Sequence, residues 1–255
     1  MRVHGWRSVV LVSVSGARHP ARDKLAFALD FPTLAEAEQG AAQVTEAVGV
    51  LKVGLELFVS EGPRAIGLGR QLGCEVFLDL KLHDIPETVE RAVASAAAHG
   101  VRYLTLHASG GPKMLAAAAR RAERENSGLT LLAITVLTSL DATDLQAVGV
   151  ASSPAEHAIR LARLAYAEGI PGMVCSALEV GALREALGPK AVLVTPGIRP
   201  MAAGGDDQKR TGTPTSAIRA GSSLLVVGRP IRDASDPAAA ARAISDEIQR
   251  ASALA

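Results

Sequence analysis

From Leu25 onward the chain alternates short apolar runs with longer, Ala-rich stretches of helical period, and it does so eight times, a pattern few folds can accommodate. The strand-like runs are Leu25–Leu29, Val50–Val53, Val76–Leu80, Tyr103–Leu106, Leu131–Val136, Gly172–Cys175, Val192–Thr195 and Leu224–Val227. Helical segments are predicted at Leu34–Val48, Pro63–Leu72, Pro86–His99, Pro112–Arg124, Pro154–Glu168, Leu178–Leu187, Pro214–Ala220 and Pro237–Ala251, with a short extra helix near Asp141–Val148. Most of them open on Pro, whose missing N–H has no helical partner in a first turn. Runs that are apolar on both faces belong to a parallel sheet covered on both sides.

Eight such units predict an α/β fold: a closed (β/α)8 barrel of the TIM type, with its active site at the carboxyl ends of the strands. The rival is an open, doubly wound sheet. That architecture carries a Gly-rich fingerprint after its first strand, and Asp30-Phe31-Pro32-Thr33 is not one. A chain of 255 residues with 48% apolar side chains suits one domain, here residues 23–255, after an N-terminal extension of unknown role at residues 1–22. The extension holds an apolar run, Val9–Val14, behind Arg2 and Arg7. It is short, Ser13 interrupts it, and Ser8 and Ser15 bound it, so it is not read as a secretory leader.

Twenty-seven basic against 26 acidic residues leave a net charge of +1, which argues against a general electrostatic grip on nucleic acid, so any bound anion must be held locally. No apolar run is long enough to span a membrane. Cys74 and Cys175 lack the close spacing of a zinc or redox motif and read as two buried thiols of a cytoplasmic protein. Nor does any His, Cys and carboxylate set have metal-ligand spacing, so no metal is expected. Only six of the 27 basic residues are Lys. Unlike Arg, Lys can release a proton when its surroundings favour it, so a Lys at the end of an apolar strand invites a chemical role.

Polar residues collect where the strands run out. Asp30 follows the first, Lys52 lies in the second, Asp79 and Lys81 end the third, and His107 follows the fourth. Thr138 follows the fifth, and Arg199 and Arg229 come after the seventh and eighth. Asp79-Leu80-Lys81 puts opposite charges two residues apart on one strand face, with Asp84 three further on. By itself such a triplet fits a structural ion-pair network as well as a catalytic one. Asp30 also stands where a helix N-cap could sit, a place Thr33 can fill just as well.

The wider segment Phe77-Leu78-Asp79-Leu80-Lys81-Leu82-His83-Asp84-Ile85-Pro86-Glu87-Thr88-Val89 resembles the signature of the orotidine 5′-phosphate decarboxylase family. Leu25-Ala26-Phe27-Ala28-Leu29-Asp30, Leu51-Lys52-Val53-Gly54 and Val136-Leu137-Thr138-Ser139 agree with it in the same order. So do Thr195-Pro196-Gly197-Ile198-Arg199-Pro200, Asp206-Asp207-Gln208-Lys209-Arg210 and Val226-Val227-Gly228-Arg229-Pro230-Ile231. The resemblance implies cofactor-independent loss of CO₂ from orotidine 5′-phosphate to give UMP, the last step of de novo pyrimidine synthesis. It makes Lys81 the proton donor to pyrimidine carbon 6, a role Arg could not take. Asp79 would face the substrate carboxylate and hold Lys81, and Lys52 and Asp84 would complete the charge network. Asp30 would bind ribose hydroxyls, Thr138 the pyrimidine, and Gly228 with Arg229 the phosphate, helped by Arg199 and Gln208 in the Gly-rich stretch Pro196–Thr213. In this family the working unit is a homodimer, with Asp84 and Thr88 supplied across the interface.

Two rivals remain open: a metal-dependent sugar-phosphate decarboxylase or aldolase on the same barrel, and a non-catalytic nucleotide-binding barrel. His107 is expected to pack or to position a neighbour; His83 lies between Lys81 and Asp84, and His99 and His157 fall within helices and are expected to be structural or exposed.

Overall fold

The computed structural model describes residues 18–200 and 211–254. Eight parallel strands close into one barrel in chain order: β1 (Leu25–Ala28), β2 (Val50–Val53), β3 (Glu75–Leu82), β4 (Tyr103–His107), β5 (Thr130–Ile134), β6 (Gly172–Val174), β7 (Val192–Thr195) and β8 (Leu224–Val227). The seam is the β1–β8 pairing, with Leu25 opposite Leu225 and Phe27 opposite Val227. The doubly wound alternative is thereby excluded. Around the barrel lie α1 (Leu34–Ala42), α2 (Leu55–Glu61), α3 (Arg64–Leu72), α4 (Pro86–Ala98), α5 (Gly111–Glu125), α6 (Ala142–Ala147), α7 (Pro154–Ala167), α8 (Val180–Leu187), α9 (Pro214–Arg219), α10 (Arg229–Arg232) and α11 (Pro237–Ser252).

Capping chemistry sets several of these starts. Thr33 accepts the N–H of Glu36 at the head of α1, Asp141 and Ser153 form capping boxes at α6 and α7, and Asp236 accepts the N–H of Ala239 at α11. The predicted helix over Leu34–Val48 is shorter than expected, because α1 stops at Ala42 and the chain continues in turns. α2 and α10 were not foreseen. Residues 19–22, which the sequence assigns to an extension, pack on the barrel: Ala21 and Arg22 are buried, and His19 pairs with Asp246 at 2.9 Å.

Alternate strand residues point to opposite faces, and they sort into two apolar bodies. Leu25, Phe27, Leu51, Val53, Val76, Leu78, Leu104, Leu106, Leu131, Met173, Leu193 and Leu225 face the helices in the larger core. Ala26, Ala28, Val50, Phe77, Leu132, Val194, Leu224 and Val226 fill the barrel interior. Gly172 makes room for this inner body, since a Cβ there would lie 2.4 Å from the Leu132 side chain. Two residues beyond Val50 and Phe77, the inward positions become Lys52 and Asp79. A dry apolar layer is therefore capped by a charged one at the carboxyl ends of the strands.

Cys74 precedes β3 and Cys175 follows β6, so the two lie at opposite ends of the barrel. Cys175 is buried as expected, whereas Cys74 is only partly so, and burial still raises its thiol pKa. No helix among the described residues is long and apolar enough to cross a membrane.

Candidate active site

A cavity of about 240 Å³ opens at the charged end of the barrel, and Asp30, Lys52, Asp79, Lys81, Thr138, Arg199, Gly228 and Arg229 all line it. These residues come from six different strand-loop units and meet only because the barrel closes. Phe77, Ile134, Val174 and Val226 supply apolar wall and floor.

The charged row follows from strand register. Ala28 pairs with Lys52, and Lys52 with Phe77, so Lys52 stands between the two strands whose next inward positions are Asp30 and Asp79. Lys52 Nζ lies 3.2 Å from Asp30 Oδ1 and 3.8 Å from Asp79 Oδ2, and Lys81 Nζ lies 2.9 Å from the same Asp79 oxygen. Signs alternate along the row, so each ammonium is held against a carboxylate. Asp79 and Lys52 keep only 13% and 12% of their side-chain surface, which makes unpaired charge there costly.

One expectation about β3 needs correction. Asp79 and Lys81 do not occupy an unbroken strand face: the pairing of β3 with β4 runs Leu78–Leu104 and then Leu82–Leu106, leaving three residues on β3 opposite Thr105 alone. The strand bulges, and Lys81 takes a left-handed backbone conformation with φ 51°. For a residue with a Cβ this costs about 1–2 kcal/mol. Such strain is characteristic of functional positions, and here it turns the Lys81 ammonium back onto Asp79.

Asp84 and Thr88 do not join the row within one chain. Both are exposed and outside the cavity lining, and Asp84 Oδ1 accepts the N–H of Ile85 at 2.6 Å. Beside them Ile85 is 66% exposed. Gln208 lies outside the described residues.

Asp30 is not an N-cap, because Thr33 takes that place, and Arg232 donates to the Asp30 backbone oxygen at 3.1 Å. At Gly228 a Cβ would stand 3.3 Å from Asp30 Oδ2 and 3.4 Å from Ala28 Cβ, so a side chain would crowd Asp30. Arg199 sits at the base of its loop, where its N–H donates to Gly212 O at 2.9 Å and Ile198 bridges to Gly212.

The sequence reading missed Thr105, which is fully buried on β4. Its hydroxyl donates to Asp79 Oδ1 and accepts the Lys81 N–H, both at 2.9 Å. The available signal was a polar residue at an inward position between Leu104 and Leu106. His107 does not line the cavity; its ring lies 5.3 Å from that of His83. Burial, then the nearby His83 and Lys81, lower its pKa, while Asp79 opposes them. Among the described residues no group of three or more His, Cys, Asp or Glu could hold a metal ion.

Comparison with known proteins agrees with this geometry. Residues 23–244 match the family model described as orotidine 5′-phosphate decarboxylase / HUMPS family. An orotidine 5′-phosphate decarboxylase of Anaeromyxobacter sp. (strain K) is 56% identical over 223 residues, covering 88% of this chain and 97% of that protein. One from Chromohalobacter salexigens is 50% identical over 224 residues, covering 88% and 95%. Among solved structures, the orotidine 5′-phosphate decarboxylase of Lactobacillus acidophilus superimposes with a TM-score of 0.76 at 36% identity, covering 89% of this chain and 99% of that one. With its charged row in place at the rim of a closed eight-stranded barrel, the chain belongs to the orotidine 5′-phosphate decarboxylase / HUMPS family.

Proposed function

We propose that this protein decarboxylates orotidine 5′-phosphate to UMP, the closing step of de novo pyrimidine synthesis, with no cofactor. The observation that carries the reading is the Asp30–Lys52–Asp79–Lys81 row sharing one cavity with Arg229. The bond between pyrimidine carbon 6 and the carboxylate breaks, CO₂ leaves, and the electron pair stays on carbon 6, where no ring carbonyl conjugates it well. Lys81 supplies a positive charge beside that pair and then transfers its proton to the carbon. The lysine amine regains a proton from water.

Asp79 faces the substrate carboxylate, and their repulsion is relieved as CO₂ departs. Its second task is to hold Lys81. Asp30 accepts from ribose hydroxyls, with Lys52 beside it. Thr138 contacts the pyrimidine, and Arg229, the Gly228 backbone, Arg199 and Gln208 bind the phosphate, where a guanidinium offers a two-pronged charged contact. Binding energy from that remote phosphate is available to lower the barrier at carbon 6.

The working unit is a homodimer in which the partner subunit supplies Asp84 and Thr88 to the row. Their exposure beside the apolar Ile85, outside their own chain's cavity, supports this arrangement. Residues 23–255 form the catalytic domain, against which residues 19–22 of the N-terminal extension pack. Two thiols at opposite ends of the barrel suit the reducing cytoplasm.

The test is to mix purified protein with orotidine 5′-phosphate and follow UMP, with and without excess EDTA. UMP formation at the same rate in both supports the proposal. Loss of turnover with EDTA would instead point to the metal-dependent branch of the barrel, and UMP binding without turnover to a binding protein.

A further inference from the structure

We infer that Thr105 is a positioning residue for the reaction, one hydroxyl that sets both the acid and the base of the Asp79–Lys81 pair; the inference rests on the decarboxylase reading above. The β3 bulge creates the need. With three β3 residues opposite one β4 residue, the Lys81 N–H has no place in the backbone ladder. Thr105 Oγ1 takes it at 2.9 Å. The same oxygen gives its own hydrogen to Asp79 Oδ1 at 2.9 Å, leaving Asp79 Oδ2 for the two ammonium groups.

Thr105 is fully buried, so solvent is not at hand to replace these bonds. Without the hydroxyl, a part-buried N–H and a part-buried carboxylate oxygen would each lose a partner at once. The Asp79 carboxylate would be free to rotate, and the left-handed backbone that aims Lys81 would lose its anchor. Thr105 touches the reacting groups only through Asp79 and Lys81. Its effect therefore falls on the chemical step and not on phosphate binding at the far side of the cavity.

The experiment compares wild type with Thr105→Val, which keeps the branched shape without the hydroxyl, and Thr105→Ser, which keeps the hydroxyl. Losing a hydrogen bond to a charged group predicts that Thr105→Val lowers kcat about ten- to a hundredfold while KM stays within about threefold. Thr105→Ser is expected to recover kcat to within about fivefold of wild type, since it restores both bonds. Backbone amide exchange at Lys81 is read in the unliganded proteins. It is expected to accelerate at least about tenfold in Thr105→Val and to stay slow in Thr105→Ser. If Thr105→Val does not fold, Thr105→Ala against Thr105→Ser makes the same contrast.

Wild-type turnover in a hydroxyl-free variant, or an equal loss in Thr105→Ser, overturns the inference. So does amide exchange that rises uniformly along β3 and β4, the mark of general loosening. If wild type forms no UMP, the functional reading fails, and Lys81 amide exchange still decides whether the hydroxyl holds the strand.

Discussion

Replacing Asp79 by Asn preserves side-chain shape and removes one negative charge from between two ammonium groups. Oδ2 lies 2.9 Å from Lys81 Nζ and 3.8 Å from Lys52 Nζ. At an effective dielectric of about 20 these attractions come to about 6 and about 4 kcal/mol. Drying the charges offsets much of that, and Lys81 keeps 29% of its side-chain surface, so water screens its share. Breaking a buried pair costs about 3–5 kcal/mol, and partial exposure brings the expected loss of stability here to about 2 kcal/mol. For a domain of this size that lowers Tm by about 4–8 °C. Turnover should suffer more, because Lys52 and Lys81 then repel across the gap and the ammonium leaves its position. A misplacement of about 1 Å alone costs about a hundredfold, and losing the charge that faces the substrate carboxylate brings the expected fall in kcat to about a thousandfold or more. The assay is chromatographic quantitation of UMP alongside calorimetric Tm at one pH. A kcat within tenfold of wild type would refute the role given to this carboxylate, and a rise in Tm would show that it strains the resting protein instead of holding it.

Arg229→Ala should lower kcat/KM by about a hundred- to a thousandfold, from the loss of charged bonds to the phosphate, and steady-state kinetics within threefold of wild type would refute that contact. Mixing Lys81→Ala with Asp84→Ala, each inactive alone, should restore part of the activity if sites are built across a dimer; no recovery after mixed refolding counts against shared sites. His107 gives a pH signature. Its folded pKa lies below its ordinary value of 6.5, so the unfolded chain takes up the proton first as pH falls. The stability it contributes is complete above that value and lost below it. Between about pH 7.5 and about pH 5.5, Tm should therefore fall more steeply in wild type than in His107→Gln, and equal slopes would refute the assignment.

The barrel was legible because its strands are apolar on both faces and are separated by helices with Pro at their first turns. The helices that escaped notice are short: Leu55–Glu61 follows its strand directly after Gly54, and Arg229–Arg232 is a single turn inside a motif read for its chemistry. Asp30, Asp79 and Arg229 could be placed at the rim because each sits where an apolar run ends, and Lys52 because it interrupts one. Lys81 was found but its geometry was not, since a left-handed Lys carries no local sequence mark and arises from a mismatch in strand pairing. Thr105 showed only as a polar residue between Leu104 and Leu106, and its task exists only once β3 has bulged against β4.

The seam between β1 and β8 ties activity to complete folding. Asp30 and Arg229 are almost 200 positions apart, yet each follows one of the two strands that meet last in the circle. An intermediate lacking that final pairing would hold Lys81 against Asp79 with no anchor opposite, so catalysis should return during refolding only with the last structural phase, and turnover becomes a reporter of ring completion.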